Sequence, residues 1–192
     1  TDGTLVSRFV PQGTADQVGD LAGTYGNETL PADYLQRRGN RGFEAVAFDT
    51  DNNVLYAFIQ TPLSNPDRAA GDASSVIRML GIDPASGTPV SEYVYLLEEP
   101  VLGGLVDKIG DAVYAGDGKF KVVERDSGLS PTDHQYVFEI DLQGATNVLG
   151  AGFGSETLEQ QTADDLVGMG IQPVAKRKIT NLPSIGYQPT DK

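Results

Sequence analysis

The chain has 192 residues, of which 39% are hydrophobic and 21% are charged, and its formal net charge is −13 at pH 7. The hydrophobic fraction is enough for a packed core, and the charged fraction is too low for a disordered acidic tail. An acidic surface repels nucleic acid phosphates and anionic lipids, so a nucleic acid partner and a membrane-surface role are disfavoured.

Two further properties narrow the function classes. The chain has no cysteine, which excludes disulfide bonds, thiolate metal sites and a cysteine nucleophile. No apolar run approaches the roughly 20 residues of a membrane helix, so we expect no membrane span. The sequence opens at Thr1 without a signal-like stretch, which indicates a removed leader or an internal fragment.

Residues 1–40 form a lead-in segment before the first strong strand pattern. Residues 5–10 could add one edge strand, and residues 30–38 could form one or two helical turns behind Pro31. Short alternating strands then follow at 43–49, 54–60, 76–82 and 91–97, with a turn at 51–53 and a long polar loop at 64–74.

The same pattern restarts after residue 106. Strands are predicted at 109–115, 120–124, 136–142 and 176–182, and Gly116-Asp117-Gly118 predicts a tight turn between the first two. An insertion at 143–175 separates the last two strands and contains a short surface helix within residues 155–167. The two halves align, and each ends its third strand on an Ile-Asp pair, Ile82-Asp83 and Ile140-Asp141.

This internal repeat of four strands has the size of a propeller blade. We therefore predict an all-β fold, a β-propeller with two four-stranded blades at residues 41–99 and 107–182 in one domain. A β-sandwich is the alternative, because isolated meanders look alike in sequence. Two blades do not close a ring of roughly four to eight. An isolated pair would expose Val46, Phe58, Val113 and Val122, so we expect the missing blades from a longer chain or from another chain.

Several motifs carry a family resemblance. They include Arg41-Gly42-Phe43-Glu44-Ala45-Val46-Ala47-Phe48, Lys108-Ile109-Gly110-Asp111-Ala112-Val113 and Val122-Val123-Glu124-Arg125-Asp126. In this order they resemble the phytase-like propeller family, which is also described by an esterase-like activity of phytase. The resemblance covers most of residues 30–186. A whole domain of that family has further blades before the Arg-Gly-Phe-Glu motif, so this chain corresponds to a partial domain.

The resemblance implies a bacterial protein that is secreted or periplasmic. It also implies hydrolysis of a phosphoester or carboxyl ester in a small molecule. A non-catalytic extracellular propeller, acting as a binding or structural module of a larger assembly, is the alternative, because one fold hosts many functions.

Glu44 and Asp111 occupy equivalent positions at the start of the first strand of each repeat. In a propeller that strand lines the central channel, so the two carboxylates could hold Ca²⁺ and act in catalysis. The other interpretation is structural, with each carboxylate bonded to backbone or to a base. Arg41 and Lys108, three residues earlier, are the natural partners and also candidate substrate ligands.

A second set of candidates lies at a strand end. Glu124 and Arg125 are predicted to be catalytic, Arg125 or Lys108 to neutralise a phosphate, and Asp126 to be a metal ligand. Structural salt bridges explain the cluster equally well. Arg78, in the middle of a strand, is predicted to bind substrate, with burial against an acid such as Glu44 or exposure to solvent as alternatives. The lone histidine, His134, does not assemble a Ser-His-Asp triad by spacing.

Overall fold

The structure is a computed structural model that describes residues 3–18, 26–98, 107–128, 130 and 132–187. Residue 99 of the first predicted blade and residues 19–25 of the lead-in segment lie outside this part. The described residues form ten strands: β1 Phe9–Pro11, β2 Asn27–Leu30, β3 Phe43–Asp49, β4 Val54–Ile59, β5 Val76–Ile82, β6 Pro89–Leu96, β7 Lys108–Gly116, β8 Lys119–Arg125, β9 Gln135–Asp141 and β10 Ala175–Asn181.

The helices of the described residues are short. The α-helices are α1 Thr14–Val18, α2 Arg68–Ala73 and α3 Ala163–Gly168, and the 3₁₀ turns are Ala32–Gln36, Leu158–Gln160 and Leu182–Ile185. No helix in this part of the chain is long and apolar enough to cross a membrane. The prediction of a mostly β protein is confirmed.

Two four-stranded sheets dominate the fold. The first sheet has the order β3-β4-β5-β6, and the second has the order β7-β8-β9-β10 read from its opposite edge. Every neighbouring pair is antiparallel. Each half of the sequence repeat is thus a meander, which agrees with the predicted strands. Strands β1 and β2 pair separately and in parallel.

The β7–β8 hairpin has the predicted tight turn. Asp117 and Gly118 have φ angles of 52° and 71°. A two-residue hairpin loop with positive φ at both positions matches the right-handed twist of the strands it joins, and Asp-Gly is a preferred sequence for it. The turn fixes the register in which Gly116 pairs with Lys119 and Tyr114 with Phe120.

The two sheets pack against each other through one apolar core. Phe120 of β8 is fully buried, and its ring centroid lies 5.2 Å from that of Tyr56 and 6.4 Å from that of Phe58, both in β4. Val122 is also fully buried in this core. Phe58 and Val122 face this shared core and are buried. The expectation that an isolated pair of blades exposes these two side chains is therefore wrong. Val46 and Val113 are exposed as expected.

The opposite face of the first sheet is covered by two distant segments. Val76 and Val94 pack against Val148, Leu158 and Leu166 of the insertion. The insertion is joined to β6 by backbone hydrogen bonds from Val148 N to Glu92 O (2.8 Å) and from Val174 N to Val94 O (2.9 Å). Tyr34 of the lead-in segment donates its hydroxyl to Glu92 on the same face. The predicted insertion thus leaves the second sheet and wraps the first.

The outer face of the second sheet carries a charged cross-strand row. Lys121, Glu139 and Arg177 are register partners, and both bases donate hydrogen bonds to the Glu139 carboxylate. The bond from Lys121, followed by that from Arg177, lowers the pKa of Glu139 from 4.5 to about 2. A lowered folded-state pKa adds stability above the unfolded-state value, and this contribution disappears as the pH falls towards about 2.

We expect Glu139→Gln to be less stable than the natural chain at pH 7 and equally stable near pH 2. Denaturant titrations at the two pH values measure the difference. Glu44→Gln is the control, because the Glu44 side chain has no ion pair or hydrogen bond among the described residues. The pH-dependent loss expected of Glu139→Gln should be absent from this variant. A Glu139→Gln difference that stays constant between pH 7 and pH 2 would contradict the assigned ion pairs.

Candidate functional site

A cleft of about 920 Å³ opens where strands of the first sheet end. We call it the Arg38 cleft. One wall is helix α2, the other is the start of the α3 region, and the residues flanking β4, β5, β6 and β7 complete it. The lining residues used below are Arg38, Asp67, Gly71, Asp72, Glu98, Asp107, Glu156, Glu159 and Gln161.

Local sequence features build the walls of the cleft. The Asp67 carboxylate caps helix α2 by accepting the Ala70 N–H at 2.9 Å. Gly71 lies so close to the preceding loop that a Cβ atom there would be 2.4 Å from the Leu63 carbonyl oxygen. Thr157 of the insertion donates its hydroxyl to Asn65 O at 2.7 Å. The helix and the insertion are therefore both fixed to the loop that follows β4.

Arg38, which lines the cleft, has a hydrogen-bond donor that is closed to solvent and unpaired among the described residues. Its Nη2 pairs with Asp72 at 2.9 Å, and its side chain is 16% exposed. Its Nε is buried and has no hydrogen-bond partner among the described residues. Burial, as the largest effect, lowers the pKa of the Arg38 guanidinium, although an arginine remains charged at neutral pH.

Gln161, which also lines the cleft, has an acceptor that is closed to solvent and unpaired among the described residues. The residue is 4% exposed, and its Nε2 donates to Glu156 at 3.1 Å and to Thr157 O at 3.0 Å. Its Oε1 is buried without a partner within the described part of the chain. A buried polar atom without a partner is unusual in a folded protein and is a reason to look for a ligand. The cleft combines one such donor and one such acceptor.

The buried Arg78 lies directly behind the cleft. Its side chain is 4% exposed and binds both oxygens of Glu159, at 2.7 and 3.0 Å, and also Asp33 at 3.1 Å and Glu92 at 3.5 Å. Burial opposes the charge of Arg78, but the hydrogen bond and charge of Glu159 and the charge of Glu92 raise its pKa. Burial also raises the pKa of Glu92. Arg78 is thus buried against acids, and these acids are not Glu44.

Glu124 and Lys108 do not line the cleft, but each of them contacts a residue that does. Glu124 is fully buried, receives hydrogen bonds from Tyr95 and Lys176, and accepts the Glu98 N–H at 2.9 Å. Lys108 is 1% exposed and pairs with Asp107 at 3.0 Å. Three predicted site residues, Arg78, Lys108 and Glu124, therefore contact Glu159, Asp107 and Glu98, which line the cleft.

The other predicted site residues are outside the cleft lining. Glu44 and Asp111 are exposed on β3 and β7, and Asp111 accepts the Ala112 N–H at 2.8 Å. Arg41 donates to Gln60 at 3.3 Å. Arg125 donates to Asp126 O at 3.3 Å, and the Asp126 carboxylate accepts the N–H groups of Gly128 and His134 at 2.8 and 2.9 Å.

The described residues contain no group of three or more Asp, Glu or His side chains placed to hold a metal ion. The predicted ligands Glu44, Asp111 and Asp126 are therefore not part of such a group. The donor set is therefore not assembled for Ca²⁺ in this conformation, and Ca²⁺ binding stays a prediction.

Three residues of the site were not predicted from the sequence: Arg38, Glu159 and Gln161. Arg38 belongs to the lead-in segment, and Glu159 and Gln161 belong to the insertion. These segments fall outside the repeat, so alignment of the two halves does not reach them. One sequence signal was available. Thr157 and Thr162 are each followed three residues later by Gln or Asp, a capping pattern that marks the helix starts beside the cleft.

Comparison with known proteins agrees with the motifs of the repeat. The family model of phytase-like proteins, described as esterase-like activity of phytase, matches residues 3–192. No curated protein and no solved structure matches the chain. The matched region includes both sheets, the lead-in segment that carries Arg38 and the insertion that carries Gln161. This chain belongs to the phytase-like family.

Proposed function

We propose that this protein is an ester hydrolase that binds its substrate in the Arg38 cleft. The observation that carries the proposal is the pair of buried, unpartnered atoms there, Arg38 Nε and Gln161 Oε1. A buried polar atom without a hydrogen bond costs roughly 1–3 kcal/mol. Both atoms are closed to solvent in this structure, so a ligand that displaces the groups enclosing them, accepts from Arg38 and donates to Gln161 would remove both costs. The family description supports an ester as that ligand.

Arg38 has the chemistry that ester hydrolysis requires. Attack on an ester places negative charge on the carbonyl or phosphoryl oxygen, and a fixed cationic donor stabilises that charge most when water is excluded. Asp72 fixes the Arg38 guanidinium through Nη2 and leaves Nε free. Arg38 would therefore bind the ester oxygen, and Gln161 would accept a hydrogen bond from a hydroxyl or amide of the substrate.

Charge favours a carboxyl ester over a phosphoester in this cleft. Among the described residues, its lining contains six carboxylates, Asp67, Asp72, Glu98, Asp107, Glu156 and Glu159, and one cation, Arg38. Ion pairs with Arg38, Lys108 and Lys178 neutralise Asp72, Asp107 and Glu98, and Glu159 shares the single charge of Arg78 with Asp33 and Glu92. Asp67 and Glu156 remain, and they repel a phosphate dianion. A phosphoester would need a bound cation, and Ca²⁺ is the one the sequence predicts.

We expect the full chain to hydrolyse p-nitrophenyl acetate, and Arg38→Gln to lower kcat/KM by about 10- to 100-fold, the value of one hydrogen bond from a charged donor. Arg68→Gln is the matched control. Arg68 shares Asp72 with Arg38, at 2.9 Å, but is 68% exposed and outside the cleft lining. Its activity should stay within about threefold of the natural chain, as for most exposed surface changes.

The same assay decides between ester classes. p-Nitrophenyl phosphate is tested with Ca²⁺ and with a chelator; turnover that needs Ca²⁺ would assign a phosphoester substrate. No hydrolysis of either ester under any condition would contradict the proposal and favour the alternative, a non-catalytic binding module.

We also infer that the two sheets are adjacent blades of a β-propeller in an exported protein. The inference is supported by the equal strand order of the two meanders and by the position of β3 beside β7. Val46 and Val113 are 52% and 60% exposed on these first strands. Further blades, from the same chain or from another, would cover them.

A further inference from the structure

Two carboxylates of the Arg38 cleft have no counter-charge. Asp67 and Glu156 line the cleft, are exposed, and form no ion pair within the described residues. Their hydrogen bonds come from uncharged groups: Asp67 Oδ1 accepts from Ala70 N at 2.9 Å, and Glu156 Oε2 accepts from Gln161 Nε2 at 3.1 Å. The second oxygen of each carboxylate has no hydrogen-bond partner in the part of the chain that the structure describes. Each carboxylate therefore keeps its negative charge and a free acceptor atom for a ligand.

An acceptor without a partner lies beside one of these carboxylates. The Gln161 side chain turns Nε2 towards Glu156, and Oε1 belongs to the same amide group, so Oε1 lies next to the Glu156 carboxylate. Gln161 is 4% exposed, and its Oε1 has no hydrogen-bond partner among the described residues. The place therefore favours a hydrogen-bond donor that also carries positive charge.

The two carboxylates lie close to the point where the walls of the cleft are joined. Thr157 of the insertion donates its hydroxyl to Asn65 O at 2.7 Å, in the loop before helix α2. Glu156 precedes Thr157 by one residue, and Asp67 follows Asn65 by two. A single cation bound beside Glu156 would also be attracted to Asp67, because unneutralised charges act over several ångströms.

An ammonium group meets these requirements better than the other donors. A hydroxyl or an amide N–H would satisfy Gln161 but would leave Asp67 and Glu156 without a counter-charge. A metal ion takes a larger set of oxygen ligands, and the described residues hold no group of three or more acidic or histidine side chains placed for one. A primary ammonium places three donors and one positive charge on a single nitrogen.

We propose that the substrate of the Arg38 cleft is a carboxyl ester that carries a primary ammonium group, as an amino acid ester does. This inference rests on the proposed function. The ammonium donates to Glu156 and, after displacing the groups that enclose it, to Gln161 Oε1, while Arg38 binds the ester oxygen. Hydrolysis adds water across the ester C–O bond and yields an acid and an alcohol, and the ammonium group is unchanged. Glu156 is thus a residue that selects the substrate and takes no part in bond cleavage.

Matched esters test this selection on the full chain. Glycine ethyl ester and ethyl propionate differ by an ammonium in place of a methyl group, and titration of the released acid follows their hydrolysis at about pH 6, below the pKa of an α-amino group. Glu156→Gln should lower the ratio of kcat/KM for glycine ethyl ester to that for ethyl propionate by about 10-fold, the value of one hydrogen bond to a charged group. Comparing this ratio between proteins cancels the different intrinsic reactivity of the two esters. Asp67→Asn, which keeps a residue able to cap helix α2, should lower the ratio in the same direction.

Asp164→Asn is the matched control for Glu156→Gln. Asp164 lies in the first turn of α3, is exposed, and is outside the cleft lining. Both variants change the net charge by the same amount, but only Glu156→Gln removes a carboxylate from the cleft, so Asp164→Asn should keep the ratio of the natural chain. An equal drop of the ratio in Asp164→Asn would assign the effect to net charge and overturn the inference.

Binding without hydrolysis separates this inference from the proposed function. In calorimetry with a chelator present, glycinamide should bind the natural chain at least about 10-fold more tightly than propionamide, and Glu156→Gln should remove the difference. Ester turnover without an ammonium preference in either assay would overturn the inference and leave the hydrolase proposal intact. Absence of all ester turnover, with glycinamide still bound through Glu156, would overturn the proposed function and leave the ammonium site intact. A preference that appears only when Ca²⁺ is added would assign the carboxylates to a metal ion and overturn the inference.

Discussion

Arg78→Met should lower the free energy of unfolding by about 3–5 kcal/mol, the usual cost of removing one partner from a buried ion pair. The change keeps the unbranched apolar stem of the side chain but removes the guanidinium, which leaves the carboxylates of Glu92 and Glu159 without their cation. These side chains are 5% and 0% exposed, so water does not replace the lost bonds. Urea titration at pH 7 measures the effect.

The matched control is Arg177→Met. Arg177 also pairs with a glutamate, at 2.8 Å, but its side chain is 70% exposed, and pairs of this kind contribute about 0–1 kcal/mol. A loss of less than about 1 kcal/mol for Arg78→Met would show that Glu92 and Glu159 do not depend on Arg78.

The pH course of Arg78→Met follows from the same burial. Burial raises the pKa of Glu92 above 4.5 even with Arg78 present. A raised folded-state pKa contributes stability that is complete below the unfolded-state pKa and is lost as the pH rises through the folded-state value. The penalty of Arg78→Met should therefore be smaller near pH 4.5 than at pH 7. Adding Glu92→Gln and Glu159→Gln, which removes the buried charges, should recover part of the loss at pH 7.

Phe120→Ala should also lower stability by about 3–5 kcal/mol, because it removes a fully buried ring and leaves a cavity. The ring contacts Tyr56 and Phe58 of the first sheet and Tyr114 of the second, with centroid distances of 5.2, 6.4 and 5.1 Å. The cavity thus forms between the sheets. The melting temperature and the urea midpoint both measure the loss.

Phe48→Ala is the control for Phe120→Ala, because Phe48 is 44% exposed and loses less buried area. If the two sheets form one cooperative unit, tyrosine fluorescence and far-ultraviolet circular dichroism should report the same shifted transition in Phe120→Ala. Two separate transitions, only one of them shifted, would contradict a shared core.

The features that could be predicted from the sequence are those that depend on local interactions. The hairpins and strands were predictable because alternation along β8 buries Phe120, Val122 and Glu124 and leaves the residues between them half-buried. The candidate site was predictable only in its supporting residues. Arg78 lies in the middle of a predicted strand, Glu124 ends one and Lys108 precedes one, so the strand pattern pointed to them. Arg38 and Gln161 lie in segments outside the repeat.

The sequence by itself determined the family, through its motifs. It also determined the four-strand repeat and the turns, because strands and turns depend on residues that are close together along the chain. Only the tertiary structure decided which acid binds Arg78, since Glu159 is 81 residues away and arrives through the insertion. It likewise decided that Lys108 meets Ser127, across a hairpin, and that Arg38 shares a cleft with Gln161. These contacts depend on how the lead-in segment and the insertion cover the first sheet, and long-range packing of that kind has no periodic signal in the chain.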